Sequence, residues 1–320
     1  MTSYLARRLL ITIPVLIGIT VLTFVFINLA PGDPVMMMVS PEQVAELGQE
    51  WLEARRHELG LDQPLPVRYV RWLQELAHGN LGYSLTTGES VAGLIVERLP
   101  ATLRLLVAAL VVGIGIGVPV GVLSAVKQYS LLDYASTIFS MAFIAVPPFF
   151  LGLGLIYIFA LSLDILPTAG MNTVGVIPTL WDSLLHLVLP ATVLGFGQAA
   201  QILRYTRSSL LQVLRQDFVR TARAKGLHER VVIYRHALRN ALIPVVTVVA
   251  LNIPALFGGA VITEQIFQWP GVGSLAMASI ARRDYSTIMG VNFVSAVLVL
   301  LCNLAADVAY SIIDPRIRYR

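Results

Sequence analysis

The sequence predicts an all-α integral membrane protein with six transmembrane helices and both termini on the cytoplasmic side. Three observations carry this prediction. The chain is 56% hydrophobic and 13% charged, with a mean hydropathy of +0.75, which is too apolar for a water-soluble domain. Six windows have the ~20 apolar residues that a helix needs to cross a hydrocarbon core of ~30 Å. They are Leu9–Ala30, Leu105–Val126, Ala135–Leu163, Leu184–Leu203, Ala241–Thr263 and Ile288–Ile313. Lys and Arg are also shared unevenly. Arg7, Arg8, Lys127, nine residues within 204–240, Arg316, Arg318 and Arg320 fall on one face, opposed only by Asp133, Asp217, Glu229 and Asp314. That face nets +11 and the other −6, and the positive-inside rule makes the basic face cytoplasmic. The pI of 9.3 is therefore a topology signal, and no nucleic-acid partner is expected.

Span one ends in Ala30-Pro31 without an Ala-x-Ala-like site and exceeds a signal-peptide h-region, so it is read as retained. The outer loop that follows is more polar. Ser40-Pro41-Glu42-Gln43 supplies an N-cap, Pro at the first helical position and Gln at the third, and Gly60 a stop. A second amphipathic helix is expected from about Pro66 to Ala77, before Gly79. Span two repeats small residues every fourth position, at Ala109, Gly113, Gly117, Gly121 and Ala125. Such a face admits a second helix closely, either inside this chain or across a subunit interface. Pro147-Pro148, Pro190 and Pro254 are expected to interrupt spans three, four and five. Of the four Trp residues, Trp181 and Trp269 lie near span ends, where an interfacial belt would place them.

Polar residues inside spans are few. Span four carries His186, and its Gln198 and Gln201 share a face leading toward Arg204. Asn252 lies in span five, and Asn303 and Asp307 in span six. Lining of a polar pathway and glue between helices both fit them. Asp307 is off-centre and near Asn303, which favours a local hydrogen bond over a coupling carboxylate. Cys302 is the single cysteine, so no disulfide framework exists and a packing role is expected. The only lysines, Lys127 and Lys225, follow Val126 and Ala224, which excludes a P-loop. No dinucleotide fingerprint, zinc motif or nucleophile elbow is present, so catalysis by this chain is not expected.

The most informative stretch is Arg204 to Pro244, which holds nine of the 23 Lys and Arg between two apolar spans. Within it, Arg220-Thr221-Ala222-Arg223-Ala224-Lys225-Gly226-Leu227 and Arg235-His236-Ala237-Leu238-Arg239-Asn240-Ala241-Leu242-Ile243-Pro244 resemble the cytoplasmic signature of ABC importer permeases. The likeness is narrower to the dipeptide/oligopeptide/nickel branch. The general signature is Glu-Ala-Ala, three residues, Gly, and a later Ile-x-Leu-Pro. Here Arg220-Thr221-Ala222 stands for Glu-Ala-Ala, and Leu238-Arg239 for Leu-Pro. Further likeness runs along nearly the whole chain: Pro31-Gly32-Asp33-Pro34, Leu59-Gly60-Leu61-Asp62-Gln63-Pro64-Leu65, Gly79-Asn80-Leu81-Gly82-Tyr83-Ser84 (Asn80 for the usual Asp), Leu166-Pro167-Thr168-Ala169-Gly170, and Glu264-Gln265-Ile266-Phe267-Gln268-Trp269-Pro270-Gly271-Val272-Gly273. The long outer loop is similar to that of the first of the two permeases such systems encode.

The resemblance implies an ABC type I importer permease fold in a bacterial or archaeal cytoplasmic (inner) membrane. It divides the chain into residues 1–30 (N-terminus and span one), 31–100 (extracytoplasmic loop with short helices) and 101–320 (permease core, with a cytoplasmic coupling segment at 204–240). It also implies a heterodimer with a second homologous permease, a pair of ABC ATPase subunits that carry the ATP and Mg, and an extracytoplasmic substrate-binding protein. No cofactor on this chain is implied. The coupling helix maps to about Asp217–Lys225, which makes Asp217, Arg220, Thr221, Ala222, Lys225, Gly226, Leu227 and His228 the candidate ATPase-coupling residues. Attraction to anionic membrane lipid is the competing reading for the basic residues. The implied activity is import of di- or oligopeptides by alternating access. Nickel, glutathione or oligosaccharide import on the same scaffold is the alternative, and an ion-coupled secondary transporter a more distant one.

Overall fold

The computed structural model describes residues 2–29, 35–36, 41–58 and 60–313. Pro31–Pro34, Ser40, Leu59 and the tail from Asp314, with its three arginines, lie outside the described residues. All regular elements among the described residues are helical, and one isolated bridge pairs Tyr83 with Ser90. In chain order they are α1 (Thr2–Leu29), α2 (Pro41–Glu58), α3 (Leu65–Ala77), α4 (Val91–Val126), α5 (Leu131–Ala145), α6 (Pro148–Leu155), a π-helical turn (Ile156–Ser162), α7 (Leu180–Leu214), α8 (Asp217–Ala224), α9 (Glu229–Val231), a second π-helical turn (Val232–Ala237), α10 (Leu238–Ile266), α11 (Val272–Ala281) and α12 (Tyr285–Ile313). Among the described residues, five helices are long and apolar enough to cross a membrane, or six if the bent pair Leu131–Ala145 and Pro148–Ser162 is one span.

In that pair the interruption expected of span three at Pro147-Pro148 is a sharp bend. Its two halves meet at 107°. Val146 (ψ 124) and Pro147 (ψ 137) are both extended, because each precedes a proline and the α conformation is sterically disfavoured there. Pro190 and Pro254, by contrast, lie inside uninterrupted α7 and α10. A lone proline removes one backbone bond, which a long membrane helix tolerates.

The chain divides into two compact units, Met1–Pro100 with Gly271–Leu300, and Ala101–Pro270 with Leu301–Arg320. In the first, α3 packs on α1 through Tyr69 and Trp72 against Phe24 (centroids 5.4 and 6.2 Å), and Thr20 shares a 2.9 Å hydrogen bond with the Tyr69 hydroxyl. Val91, Ile95, Val272, Leu275 and Val291 form its buried core. Asp284 gathers the loop before α4: its carboxylate accepts from Ser84 Oγ, from the Leu85 N–H at 3.1 Å and from Thr287 Oγ1 at 2.8 Å. Burial pushes that carboxyl up, but these donors outweigh it and leave the group below the usual carboxylate range.

In the second unit the small-residue face of α4 meets α7. A Cβ on Gly113 would lie 2.8 Å from Gln198 Cβ, one on Gly117 2.8 Å from Ile202 Cβ, and one on Gly121 2.7 Å from Thr206 Cβ. The repeat is thus a packing seam within the chain. Trp269 is a correction. It is 1% exposed, packs with Leu105, Leu194 and Leu256, and donates its indole N–H to the Ala101 carbonyl at 2.8 Å. Trp181 is 70% exposed.

Candidate functional site

The basic segment folds as a helical hairpin around Gly226. Of α8, Val219 and Ala222 are buried, while Asp217, Phe218, Arg220, Thr221 and Arg223 are exposed. The two buried residues are three apart and so share one helical face. They join a cluster with Val122 and Ala125 of α4, Leu210 and Val213 of α7, Val232 and Ala237 of the second π turn, and Ala241 of α10. A helix of eight residues has little stability alone, and this apolar anchor holds it to three long helices.

Its ends are tied as well. At the N-terminal end the Val219 and Arg220 N–H groups bond the Gln216 carbonyl, and Asp217 in the first turn suits the helix dipole. At the other end the Gly226 N–H reaches the Arg223 carbonyl at 2.9 Å, and the Leu227 N–H the Ala222 carbonyl at 3.4 Å. Gly226 has φ +75, a conformation that costs other residues about 1–2 kcal/mol. No atom beyond its chain neighbours lies within 4 Å of where its Cβ would be, so local backbone geometry alone demands the glycine. His228 caps α9 by accepting from the Arg230 N–H at 3.2 Å. Arg223 bridges to Glu229 through two bonds of 2.6 and 3.1 Å, which staples the hairpin arms together. Lys225 and Leu227 lie exposed on the turn, and Arg220 pairs loosely with Asp217 at 3.7 Å.

The candidate pathway residues separate. Gln201 accepts from Asn252 Nδ2 at 3.0 Å, which joins α7 to α10. Gln198 is buried and lies against Gly113 on the α4 seam, its Oε1 without a hydrogen-bond partner. Asn303 is exposed on α12, and Asp307 is half-buried on the same helix.

Sequence reasoning passed over one constellation. Asp133, 3% exposed at its side chain, receives two bonds from Arg207 (2.7 and 2.8 Å), one from Ser124 Oγ and one from the Tyr129 N–H at 3.0 Å. This fork fastens the start of α5 to α7 and to the end of α4. In the sequence Asp133 stands out only by its charge. The signal present was an acidic residue, preceded by an N-capping Ser130, in the shortest inter-span connection. Glu264 is likewise fully buried and accepts from Thr102 Oγ1 at 2.6 Å.

Comparison with known proteins places this geometry. Residues 117–319 match the family described as binding-protein-dependent transport system inner membrane component, and residues 1–106 its N-terminal membrane component. The chain is 44% identical over 320 residues to the oligopeptide transport system permease protein AppB of Bacillus subtilis, covering all of both chains. It is 43% identical over 338 residues to the di/tripeptide transport system permease protein DppB of Pseudomonas aeruginosa, again covering all of both. Among solved structures it is similar to the inward-facing MetNI methionine ABC transporter, with TM-score 0.57, 20% identity, and coverage of 69% of this chain and 96% of that one. It is also similar to an amino acid ABC transporter, with TM-score 0.52, 14% identity, and coverage of 71% and 95%. These likenesses establish the ABC importer permease fold. The chain belongs to the family of inner-membrane permease components of binding-protein-dependent ABC transport systems, as a multi-pass subunit with a role in transport.

Proposed function

We propose that this chain is one of two permease subunits of an ATP-driven importer of di- or oligopeptides, and that α8 is where ATP hydrolysis by partner subunits is converted into movement of the spans. The observation that carries the coupling role is that α8 is exposed on one face and bound on the other to the ends of α4, α7 and α10. A displacement of α8 cannot be absorbed in a loose loop, because its apolar anchor, the Gly226 turn and the Arg223–Glu229 staple hold both ends. It is passed on as tilting of packed helices. Asp217, Arg220, Thr221 and Lys225 present mixed charge and hydroxyl groups to a docked cleft, and Leu227 an apolar contact at the turn.

The peptide assignment rests on the relatives' names, which are those of oligopeptide and di/tripeptide permeases over the full chain length. In this reading a second, homologous permease completes the pathway, a pair of ATPases binds the Mg and ATP, and an extracytoplasmic binding protein delivers substrate. No nucleotide or metal acts on this chain. The test is purification of a tagged chain from its native membrane in mild detergent, with co-purifying chains identified by mass spectrometry. A second permease and P-loop ATPases are expected. Recovery of this chain alone, under conditions that preserve other membrane complexes, would overturn the assignment and make Asp307→Asn, read by uptake, the next experiment.

A further inference from the structure

The loop between the first π turn and α7 displays apolar side chains that the protein leaves uncovered. From Ile165 to Trp181 no residue is charged. Every residue from Thr173 to Trp181 is exposed, and Val174 is 98%, Ile177 86%, Leu180 79% and Trp181 70% accessible. The loop is nonetheless built to a fixed shape. Asp182 closes its base by accepting from the Thr173 N–H at 2.8 Å and the Thr173 hydroxyl at 2.6 Å, and Ser183 Oγ donates to Asn172 Oδ1. Thr179 caps α7 by accepting from the Asp182 N–H at 3.1 Å, and the Gly170 N–H bonds the Phe267 carbonyl at 2.8 Å. Gly175, at φ +81, turns the tip.

A closed loop that holds valine, isoleucine, leucine and tryptophan outward does so against the usual tendency to bury them, and such a patch marks a contact. Its location indicates the contact. It joins two membrane-embedded elements, and the exposed apolar row of the first π turn and its end (Tyr157, Leu161, then Leu163) runs into it without an intervening cation. A tryptophan in the first turn of a spanning helix is the side chain expected at headgroup depth. Charged residues appear only at the two ends, Asp164 and Asp182. We infer that residues 173–181 form a lipid anchor that inserts into the headgroup and upper acyl region of the leaflet in which α7 begins. It would fix the depth of α7 while α8, at the far end of the same helical region, is moved. The inference stands independently of the substrate and the ATPase partners.

The experiment places a benzophenone amino acid at Ile177, and separately at Val174, in the full-length chain in intact cells grown with radiolabelled phosphate, followed by irradiation. Both side chains are exposed, so neither replacement disturbs packing. Radiolabelled phospholipid attached to this chain at both positions is the expected result. A protein adduct in its place would overturn the anchor in favour of a docking surface for another subunit or for a binding protein. An irradiated probe that yields neither adduct would place the loop in water and overturn it as well.

Discussion

Replacing Gly226 isolates the backbone contribution of the proposed coupling turn from any contact with other residues, because no atom beyond its chain neighbours lies within 4 Å of its would-be Cβ. Clash with residues elsewhere in the protein is therefore absent, and the intrinsic effects of a substitution come from φ +75, where a Cβ crowds its own backbone, and from the N–H bond to Arg223. Asn tolerates the left-handed region better than most residues, so Gly226→Asn should cost under about 1 kcal/mol and leave uptake close to wild type. Gly226→Ala carries the Cβ penalty of about 1–2 kcal/mol. Gly226→Pro is different in kind. Its ring holds φ near about −65°, and it removes the N–H donated to Arg223, a combined cost of roughly 3 kcal/mol or more. That exceeds what a single turn can hold, so the turn should rearrange and α8 should lose its fixed direction. Since α8 contributes only Val219 and Ala222 to a larger core, insertion of the spans should survive.

The assay measures ATP hydrolysis and solute uptake of the whole assembly in membrane vesicles, alongside the amount of this chain in the membrane. Expected is a graded loss of uptake per ATP in the order Asn, Ala, Pro, with membrane levels unchanged. Equal uptake per ATP in all variants would refute the rigid-turn argument. A loss in Gly226→Asn as large as in Gly226→Pro would show that the side chain, and not φ, is what the partner detects.

Other positions give sharper structural tests. Gly117→Ala should lower the thermal stability of the detergent-solubilised protein by an amount in the range of about 1–3 kcal/mol, because its Cβ meets Ile202 Cβ at 2.8 Å and the Ala199 carbonyl at 2.9 Å, while Gly115→Ala, with open space, should be neutral or stabilising. Asp133→Ala should cost toward the lower end of the ~3–5 kcal/mol seen when a buried pair is broken, since Arg207 is 28% exposed, and adding Arg207→Leu should recover part of the loss in a thermal melt. Asp284→Asn should destabilise the protein by about 1.5–3 kcal/mol. Because the Asp284 pKa is depressed in the fold, its contribution is present above the unfolded value near ~3.9 and fades as pH falls through the folded value, so the variant and wild type should converge in acid. His78→Cys and Leu227→Cys, both at exposed positions, should label with an impermeant maleimide from opposite sides of the membrane. Labelling of both from one side would reverse the topology argument.

Elements whose information is local were legible in the sequence, and those that depend on a distant partner were not. The apolar windows located every candidate span among the described residues, yet their ends fell short. α4 begins at Val91 and α7 runs to Leu214, beyond windows that closed at Leu105 and Leu203. Hydropathy measures membrane depth, whereas helix length follows backbone bonding, and charges such as Glu97, Arg98, Arg104 and Arg207 end the first without ending the second. The break at Pro147 was visible as composition, but its severity arises from two successive residues each preceding a proline, which a count of prolines does not weigh. Trp269 was misplaced because an aromatic residue near a span end suits both an interface and a core. Only the Ala101 carbonyl, far away in sequence, decides which.

The same distinction separates the two sets of candidate site residues. α8 was located by the resemblance of Arg220–Leu227 to a family signature, and its local features agree with that placement: Val219 and Ala222 lie three apart on one helix, and Gly226 sits at φ +75. Gln198 and Gln201 have the same spacing, yet at 3.6 residues per turn they differ by roughly 60° around α7. In a helix packed on two sides, that angle turns Gln198 onto the α4 seam and Gln201 toward Asn252 of α10. Which neighbour stands at which angle is a property of helix packing and has no local spacing to announce it. The proposed coupling element carries its own amphipathicity, with one face left for a partner from outside. A pathway made between helices is marked only by which faces they turn to one another, and in the proposed two-permease assembly half of those faces would belong to another chain.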